Sequence, residues 1–387
     1  MKDVVLVVDI GTSSLKAGLI CQDGSVDAMT TIAYSAPENR FVAEGWIWAL
    51  KAAVDKLVPT GAALRQAQGP HAGFQRPQCA GVAEALEVPH IKALAISGNG
   101  PTLVSESGLT LRWNEYPACA LSLDETTPDE AREFAHSIFL PRILLFRDLI
   151  SDEFEQTTHL FSGPEYLMWQ LTGKAVTVLP EPRYETAYWN REVLEGFGIP
   201  TGKLPDFVEL GHNCGDLTDN NCEFLGLPKV PVIAVGPDFI AGLIGTGTTK
   251  AGTICDRAGS SEGINFCVDK EIRAEGIRTL PCVTPGLWNI SVLIPNSASL
   301  PEDQRLEKVV AGIELLKSLA EQNDLAFPTQ ITTTGGQAKD EKWFEKKRAR
   351  LEQMGIELVV GTCEDAELVG DGTVAWKWIA TSLRSSQ

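Results

Sequence analysis

The sequence has no apolar run of the roughly 18 residues that a membrane-spanning helix needs. Its N-terminal stretch also reaches Asp9 too early to form the apolar core of a signal peptide. We therefore expect a soluble cytoplasmic protein that has no membrane partner.

Basic residues are scarce as well, with 33 Lys and Arg against 51 Asp and Glu and a net charge of −18. Such a charge repels the phosphates of nucleic acids, so we expect no nucleic-acid partner. A single nucleotide stays compatible with this charge, because backbone N–H groups and a metal ion can hold a phosphate locally.

The nine cysteines form no CxxC pair, and an odd number cannot all pair within one chain. We expect buried, reduced thiols, which a reducing cytosol favours. The 387 residues, 44% of them hydrophobic, allow two or three domains with substantial cores. Together these features exclude a small module held by disulfides.

Short apolar runs alternate with turns and with longer stretches of helical periodicity, which indicates an α/β protein. Residues 60–83 carry several Gln and Gly residues and no acidic residue, and we interpret them as an inserted surface loop. The predicted strands include 4–8, 15–21, 91–96, 230–235 and 357–360, and the predicted helices include 46–57, 305–322, 340–354 and 365–383.

The first candidate motif follows the first predicted strand. Asp9 ends that strand, Gly11 lets a phosphate approach the backbone, and the next residues supply hydroxyl groups. A carboxylate here can hold hydrated Mg²⁺. An ordinary polar hairpin turn explains the same residues equally well. The phosphate-binding candidates are Gly11, Thr12, Ser13 and Lys16.

Asp238 directly follows another buried strand and precedes a run of small residues. A carboxylate at the end of a strand can accept a hydroxyl proton as a general base. Capping of a helix N-terminus is the alternative, and by itself it is the more common role of Asp at such a position.

Two further glycine turns occur later in the chain, and the second of them opens a predicted helix. Each signal is weak alone, because glycine turns are common. The residues are Gly259, Ser260 and Ser261 in one turn, and Gly335, Gly336 and Gln337 in the other.

The order of these motifs resembles that of the FGGY carbohydrate kinases, which are actin-like ATPases. The resemblance covers most of the chain. It rests on segments 9–16, 95–98, 164–173, 197–205, 226–238, 259–261, 334–339 and 364–370, the last of which is similar to the family's closing helix.

The resemblance implies two ribonuclease-H-like lobes with a cleft between them, ATP and Mg²⁺ in the cleft, and a sugar or polyol in the first lobe. Asp238 would be the base, Asp9 would lie near the metal, and Asn99, Gly100 and Asp238 would contact the substrate. The three glycine turns would hold the nucleotide. The expected lobes are residues 1–243 and 244–387, and a homodimer is the expected assembly.

The chain departs from the family's pattern in four places. The sugar loop reads Asn99-Gly100-Pro101-Thr102, and no tryptophan stands directly before Asp124, the counterpart that we assign to the family's acid. Gln337 replaces the third glycine of the adenosine motif. The second lobe is abbreviated near residues 293–303.

We therefore predict ATP-dependent phosphorylation of a sugar or polyol hydroxyl. The alternative is a catalytically weakened relative that binds nucleotide or sugar as a regulator. A different actin-like ATPase is a third hypothesis, but those that handle iron–sulfur clusters need clustered cysteines, which this sequence lacks.

Overall fold

The structure, a computed structural model, describes residues 2–34, 42–58, 89–115, 134, 137–360 and 365–385. The predicted insertion at 60–83 lies outside the described residues, as do Asp124 and Glu364.

The strands are β1 (Lys2–Ile10), β2 (Ser14–Cys21), β3 (Val26–Ala33), β4 (Pro89–Gly98), β5 (Leu103–Ser105), β6 (Thr110–Leu111), β7 (Leu160–Ser162), β8 (Thr177–Leu179), β9 (Phe207–Glu209), β10 (Asn213–Asp216), β11 (Pro231–Pro237), β12 (Ile254–Ala258), β13 (Glu262–Val268), β14 (Arg278–Pro281), β15 (Trp288–Ile294), β16 (Gln330–Thr334) and β17 (Glu357–Val360).

The α-helices are α1 (Glu44–Leu57), α2 (Leu140–Leu149), α3 (Ser151–Gln156), α4 (Gly163–Thr172), α5 (Arg191–Gly196), α6 (Asp219–Leu225), α7 (Asp238–Gly245), α8 (Glu302–Gln322), α9 (Glu341–Glu352) and α10 (Ala366–Ser385). Short 3₁₀ segments lie at Pro182–Ala187, Thr201–Lys203, Ser297–Ser299 and Gly336–Lys339.

A six-stranded mixed sheet in the order β10-β11-β4-β1-β2-β3 forms the core of the first lobe. Its strands β1 and β2 make the predicted hairpin, whose register pairs Asp9 with Lys16. Strand β4 lies parallel to β1, and β11 lies parallel to β4. The continuous apolar run of residues 4–8 is fully buried, as expected for a strand covered on both faces.

The second lobe repeats this arrangement. Its sheet has the order β14-β15-β13-β12-β16-β17, with β12, β13 and β15 antiparallel and with β16 and β17 added in parallel. Apart from the edge strands β10 and β14, both sheets therefore share one strand order. The prediction of an α/β protein with two ribonuclease-H-like lobes is confirmed.

Helices α7 and α10 cross between the two sheets, and their backbones touch at glycines. A Cβ on Gly245 would overlap the carbonyl oxygen of Ala366, and a Cβ on Gly370 would overlap that of Ala241. Helix α10 also packs against β1, β2 and β4. The C-terminal helix thus ties the second lobe to the first sheet.

The boundary predicted between residues 243 and 244 falls inside α7, and it stays a prediction. Among the described cysteines, all are free thiols and all but Cys222 are buried, as expected. None of the described helices is both long enough and apolar enough to cross a membrane.

Candidate active site

The first glycine turn connects β1 to β2 at the edge of the cleft. The Tyr34 hydroxyl donates to the Gly11 carbonyl and, at 3.2 Å, to the Ser14 carbonyl, so Tyr34 holds both ends of the turn. Lys16 leaves the turn on β2, and its Nζ lies 2.8 Å from Asp365 Oδ1 and 3.9 Å from Asp9 Oδ2. The turn is therefore linked to the residue that precedes α10.

Asp9 is buried at this edge, and its Oδ1 has no hydrogen-bond partner among the described residues. Burial raises the pKa of Asp9 to about 7, although the positive charge of Lys16 opposes the shift. Glu367 and Asp238 are close enough to raise the pKa of Asp9 further. A bound cation would relieve this crowding of negative charge.

Asp238 is the first residue of α7, and the cap position is occupied by Pro237. No side chain caps this helix, so the capping alternative for Asp238 is wrong. The Asp238 side chain is 32% exposed, and its Oδ2 lies 3.9 Å from Arg257 Nη2. Burial raises the pKa of Asp238, while the Arg257 guanidinium lowers it. The carboxylate is thus near a cation and still open to a ligand.

The second glycine turn, residues 259–261, connects β12 to β13. The Ser261 hydroxyl accepts a hydrogen bond from Asn296 N at 3.0 Å, and the Ser260 carbonyl accepts one from Ala298 N at 3.2 Å. Both contacts come from the short connection between β15 and α8. In the second lobe this connection therefore braces the turn.

The third glycine turn follows β16. Gly335 has a φ of 98°, and a Cβ there would lie 2.6 Å from the Ala258 carbonyl oxygen, so only glycine fits. Gly336 begins a single 3₁₀ turn, and the helix predicted at 340–354 follows it as α9, which begins at Glu341. A Cβ on Gly336 would extend into open space.

Gln337 connects the second and third turns. Its Nε2 donates to the Gly259 carbonyl at 2.5 Å and to Ser297 Oγ at 2.8 Å, while its Oε1 accepts from Arg305 Nη1 at 3.0 Å. The Arg305 guanidinium lies 3.5 Å above the Trp343 ring. Gln337, which replaces the third glycine of the adenosine motif, thus fills the space between the two turns and holds both of them in place.

These contacts bring the three turns and Asp238 to one region between the lobes. Asp365 joins them, because it binds Lys16 from the first turn and also Lys339 Nζ, at 2.7 Å, from the third. Gln337 joins the third turn to the second, and Arg257 joins the second to Asp238. Residues that lie far apart in sequence therefore share one cleft.

The proposed substrate loop lies on the first-lobe side of this cleft. Asn99 is buried, its backbone N–H donates to the Ile10 carbonyl, and its Oδ1 accepts from Thr12 Oγ1 at 3.5 Å. Gly100 follows with open space around it. Thr12, which we expected at a phosphate, is therefore also next to the substrate loop.

Sequence reasoning missed Trp113. Its indole Nε1 donates to Thr12 Oγ1 at 3.0 Å, and its backbone N–H donates to Thr102 Oγ1 at 3.2 Å. No tryptophan stands directly before Asp124, but Trp113 followed by Glu115 supplies a tryptophan and a carboxylate earlier in the chain. An aromatic ring among polar groups is typical of a small-molecule site.

Magnesium fits the residues at this edge. No group of three or more His, Cys, Asp or Glu side chains within the described ranges is arranged to hold a metal alone. Mg²⁺ does not need one, because it is usually bound by one or two carboxylates, water and substrate phosphates. The unpartnered, buried Asp9 Oδ1 is suited to that role.

No protein-family model matches the chain. Among curated proteins, it is 21% identical to the xylulose kinase of Escherichia coli (strain K12) over 341 residues, which cover 82% of this chain and 66% of that protein. It is 23% identical to the xylulose kinase of Bacillus subtilis (strain 168) over 295 residues, covering 69% and 54% respectively. The match thus spans less than two thirds of either relative.

Among solved structures, the chain is similar to Plasmodium falciparum glycerol kinase with ADP, with a TM-score of 0.72, 11% identity, and coverage of 100% of this chain and 92% of that one. At this identity the likeness shows the fold alone. These curated matches and this shared fold agree with the order of the motifs, and all three support the resemblance of this chain to the FGGY carbohydrate kinases.

Proposed function

We propose that the protein transfers the γ-phosphoryl group of ATP to a hydroxyl group of a sugar or polyol. The observation that carries this proposal is the placement of Asp238, a partly exposed carboxylate that shares one cleft with three glycine turns. The similarity to a xylulose kinase and to a glycerol kinase supports this class of acceptor.

In this proposal Asp238 accepts the proton of the attacking hydroxyl. Asn99, Gly100 and Trp113 hold the acceptor on the first-lobe side, and the turns at 11–13, 259–261 and 335–337 hold the nucleotide. The transfer then depends on alignment and on neutralisation of charge. Mg²⁺ at Asp9 would neutralise phosphate charge when bound.

The Arg257 guanidinium favours an ionised Asp238, whereas burial and the nearby Glu367 carboxylate raise the pKa of Asp238. Arg257 lies 3.9 Å from it, and Glu367 in turn holds Arg257 through a 3.1 Å contact to Nη2. The opposing effect of burial keeps Asp238 more basic than an exposed carboxylate. A base must be both deprotonated and able to take a proton at the working pH.

A second candidate function is regulatory: the protein would bind nucleotide or sugar without catalysing phosphoryl transfer. It is favoured by the internal use of groups expected at the nucleotide: the Ser261 hydroxyl accepts from Asn296, and the Gln337 amide donates to Gly259. These contacts would have to coexist with a bound nucleotide or be exchanged for it.

The test measures ADP release with ATP and Mg²⁺ across a panel of ketoses, aldoses and polyols. We expect release that depends on one class of acceptor and that falls about 10²- to 10⁴-fold in Asp238→Asn. Exposed Asp206 provides the matched control, and Asp206→Asn should leave the rate unchanged.

Calorimetry with ATP separates the two candidate functions. Nucleotide binding without acceptor-dependent turnover on any member of the panel would contradict the kinase and support the regulator. A chain that binds no ATP would contradict both.

A further inference from the structure

We propose that Arg257 is a catalytic residue that stabilises the charge of the phosphoryl group during transfer, and that Glu367 is the positioning residue that holds it. This inference rests on the proposed function and adds to it a group from the second lobe.

Arg257 is the second-last residue of β12, directly before the turn at 259–261. Its Nη2 lies 3.1 Å from Glu367 Oε1 and 3.9 Å from Asp238 Oδ2, and its side chain is 18% exposed. The guanidinium therefore stands between the candidate base and a candidate phosphate turn. A phosphoryl group moving from that turn to a hydroxyl held by Asp238 would pass beside it.

Part of the guanidinium has no hydrogen-bond acceptor within the part of the chain that the structure describes. This part is Nε of Arg257, which is buried. Unpaired buried donors are uncommon, because such a group loses its hydrogen bonds to water and gains none in return. The phosphoryl oxygens are acceptors of suitable charge, and guanidinium binds them in a fixed, forked geometry.

The neighbouring helix is shaped to admit this side chain. A Cβ on Gly242 of α7 would lie 2.5 Å from Arg257 Nε and 3.1 Å from its Cδ. Glycine at 242 thus opens the path along which Arg257 reaches the cleft. Glu367 approaches the guanidinium from α10 and limits its rotation.

The repeated fold supplies an independent argument. In β1, Asp9 pairs with Ser97 of β4, one residue before Ile10 pairs with Gly98. In β12, Arg257 pairs with Thr334 of β16, at the corresponding place. The two lobes therefore present a carboxylate and a guanidinium at equivalent positions, and both lie near Asp238: Arg257 lowers the pKa of Asp238, and Asp238 raises the pKa of Asp9.

In this arrangement Asp238 supplies the base for phosphoryl transfer, and Arg257 of the second lobe supplies the positive charge. The acceptor oxygen forms a bond to the γ-phosphorus, the bond from that phosphorus to the bridging oxygen breaks, the hydroxyl proton passes to Asp238, and ADP leaves. Arg257 donates hydrogen bonds to the equatorial oxygens while this charge redistributes.

The test compares steady-state kinetics of the whole protein with those of Arg257→Ala, Arg257→Lys and Glu367→Gln. We expect kcat to fall about 10²- to 10³-fold in Arg257→Ala, with little change in the KM for ATP. Guanidinium ion added to Arg257→Ala should restore part of the rate, but it should not restore Glu367→Gln, which keeps its arginine. Arg273→Ala, on an exposed side chain of the same lobe, is the matched control.

Calorimetry provides a readout other than turnover. Arg257→Ala should bind MgADP as the unaltered protein does, but should lose affinity for MgADP with aluminium fluoride, which mimics the transferring phosphoryl group. Circular dichroism confirms that the variant is folded.

Three outcomes would overturn the proposal. If Arg257→Ala turns over within about threefold of an active unaltered protein, the guanidinium does not act in the transfer. If only the KM for the acceptor rises, Arg257 binds an anionic substrate instead. If the unaltered protein phosphorylates no acceptor in the panel, the proposed function fails and this inference fails with it.

Discussion

The two lobes share a strand order but differ in the chemistry at the ends of their first strands. Strand β1 ends in Asp9 and Ile10, and β12 ends in Arg257 and Ala258. Both strands end beside a glycine of the neighbouring parallel strand or of the turn after it, Gly98 at the end of β4 and Gly335 directly after β16, and neither position has room for a Cβ. The backbone arrangement is thus common to both lobes, whereas the charges that face the cleft are specific to each.

The interiors below these turns differ as well. At three corresponding places, the first lobe has Val8, Leu15 and Ile96, and the second has Asp256, Glu262 and Thr333. The buried Lys347 of α9 donates to both carboxylates, and Thr333 Oγ1 donates to Asp256 at 3.1 Å. One backbone therefore accommodates either an apolar core or a buried ionic cluster.

The largest expected effect comes from breaking this cluster. Lys347→Met leaves two buried carboxylates without their cation, and we expect a loss of about 3–5 kcal/mol in the free energy of unfolding. Urea denaturation measures the loss.

A variant that carries apolar residues like those of the first lobe at the corresponding positions of the second lobe tests the comparison between the two interiors. Combining Lys347→Met with Asp256→Val, Glu262→Leu and Thr333→Ile removes every member of the cluster, and we expect it to recover most of the lost stability. A combined variant that is no more stable than Lys347→Met alone would show that apolar residues at these positions cannot stabilise the second lobe.

A smaller effect is expected where the lobes meet. Gly370→Ala places a Cβ against the backbone of Ala241, which cannot rotate away, and we expect a loss of about 2–3 kcal/mol. Thermal unfolding measures it. The control is Gly45→Ala in α1, where nothing lies within 4 Å, and its stability should be unchanged or slightly higher. Equal stability of both variants would contradict the close crossing of α7 and α10.

The smallest effect at any one pH comes from Glu165, a buried carboxylate of the first lobe. Among the described residues no lysine pairs with it as Lys347 pairs with the cluster; it accepts backbone hydrogen bonds from Ser162 at 3.0 Å and from Val178 at 2.7 Å. Burial raises the pKa of Glu165 to about 7.

Because the folded protein holds the Glu165 proton more tightly than the unfolded chain, this residue's contribution to stability is present at low pH. The contribution is lost as the pH rises from about 4 to about 7. Unfolding of the unaltered protein and of Glu165→Gln over this range should therefore give a difference in stability that falls with pH. A difference that is independent of pH would mean that Glu165 does not titrate there.

Much of the fold could be predicted from the sequence, because strands that are buried on both faces appear in the sequence as continuous apolar runs. Residues 4–8 lie in β1, residues 231–235 of the strand predicted at 230–235 lie in β11, and the glycine turns after β1, β12 and β16 fall where expected. The repetition of the fold was not predictable in this way. The two lobes differ in residue type at equivalent positions, such as Val8 and Asp256, so only the strand pairings reveal the correspondence.

The candidate site was predictable as a set of residues but not as a set of contacts. Asp9 and Asp238 were identifiable because each is a carboxylate directly after an apolar run. Arg257 was not, since nothing in its local sequence distinguishes it from a surface residue, and for Trp113 the only local signal is the carboxylate of Glu115 two residues later. Their partners, Thr12 and Glu367, lie about a hundred residues away or more.

The sequence alone determined the class of fold, the order of the turns and the acidic character of the chain, because these depend on local periodicity, composition and charge. The tertiary structure decided which charges meet. It placed Asp365 between Lys16 and Lys339, Gln337 against the turn at 259–261, and Arg257 beside Asp238. Such contacts arise from the pairing of strands and the crossing of helices distant in sequence, and no local pattern encodes them.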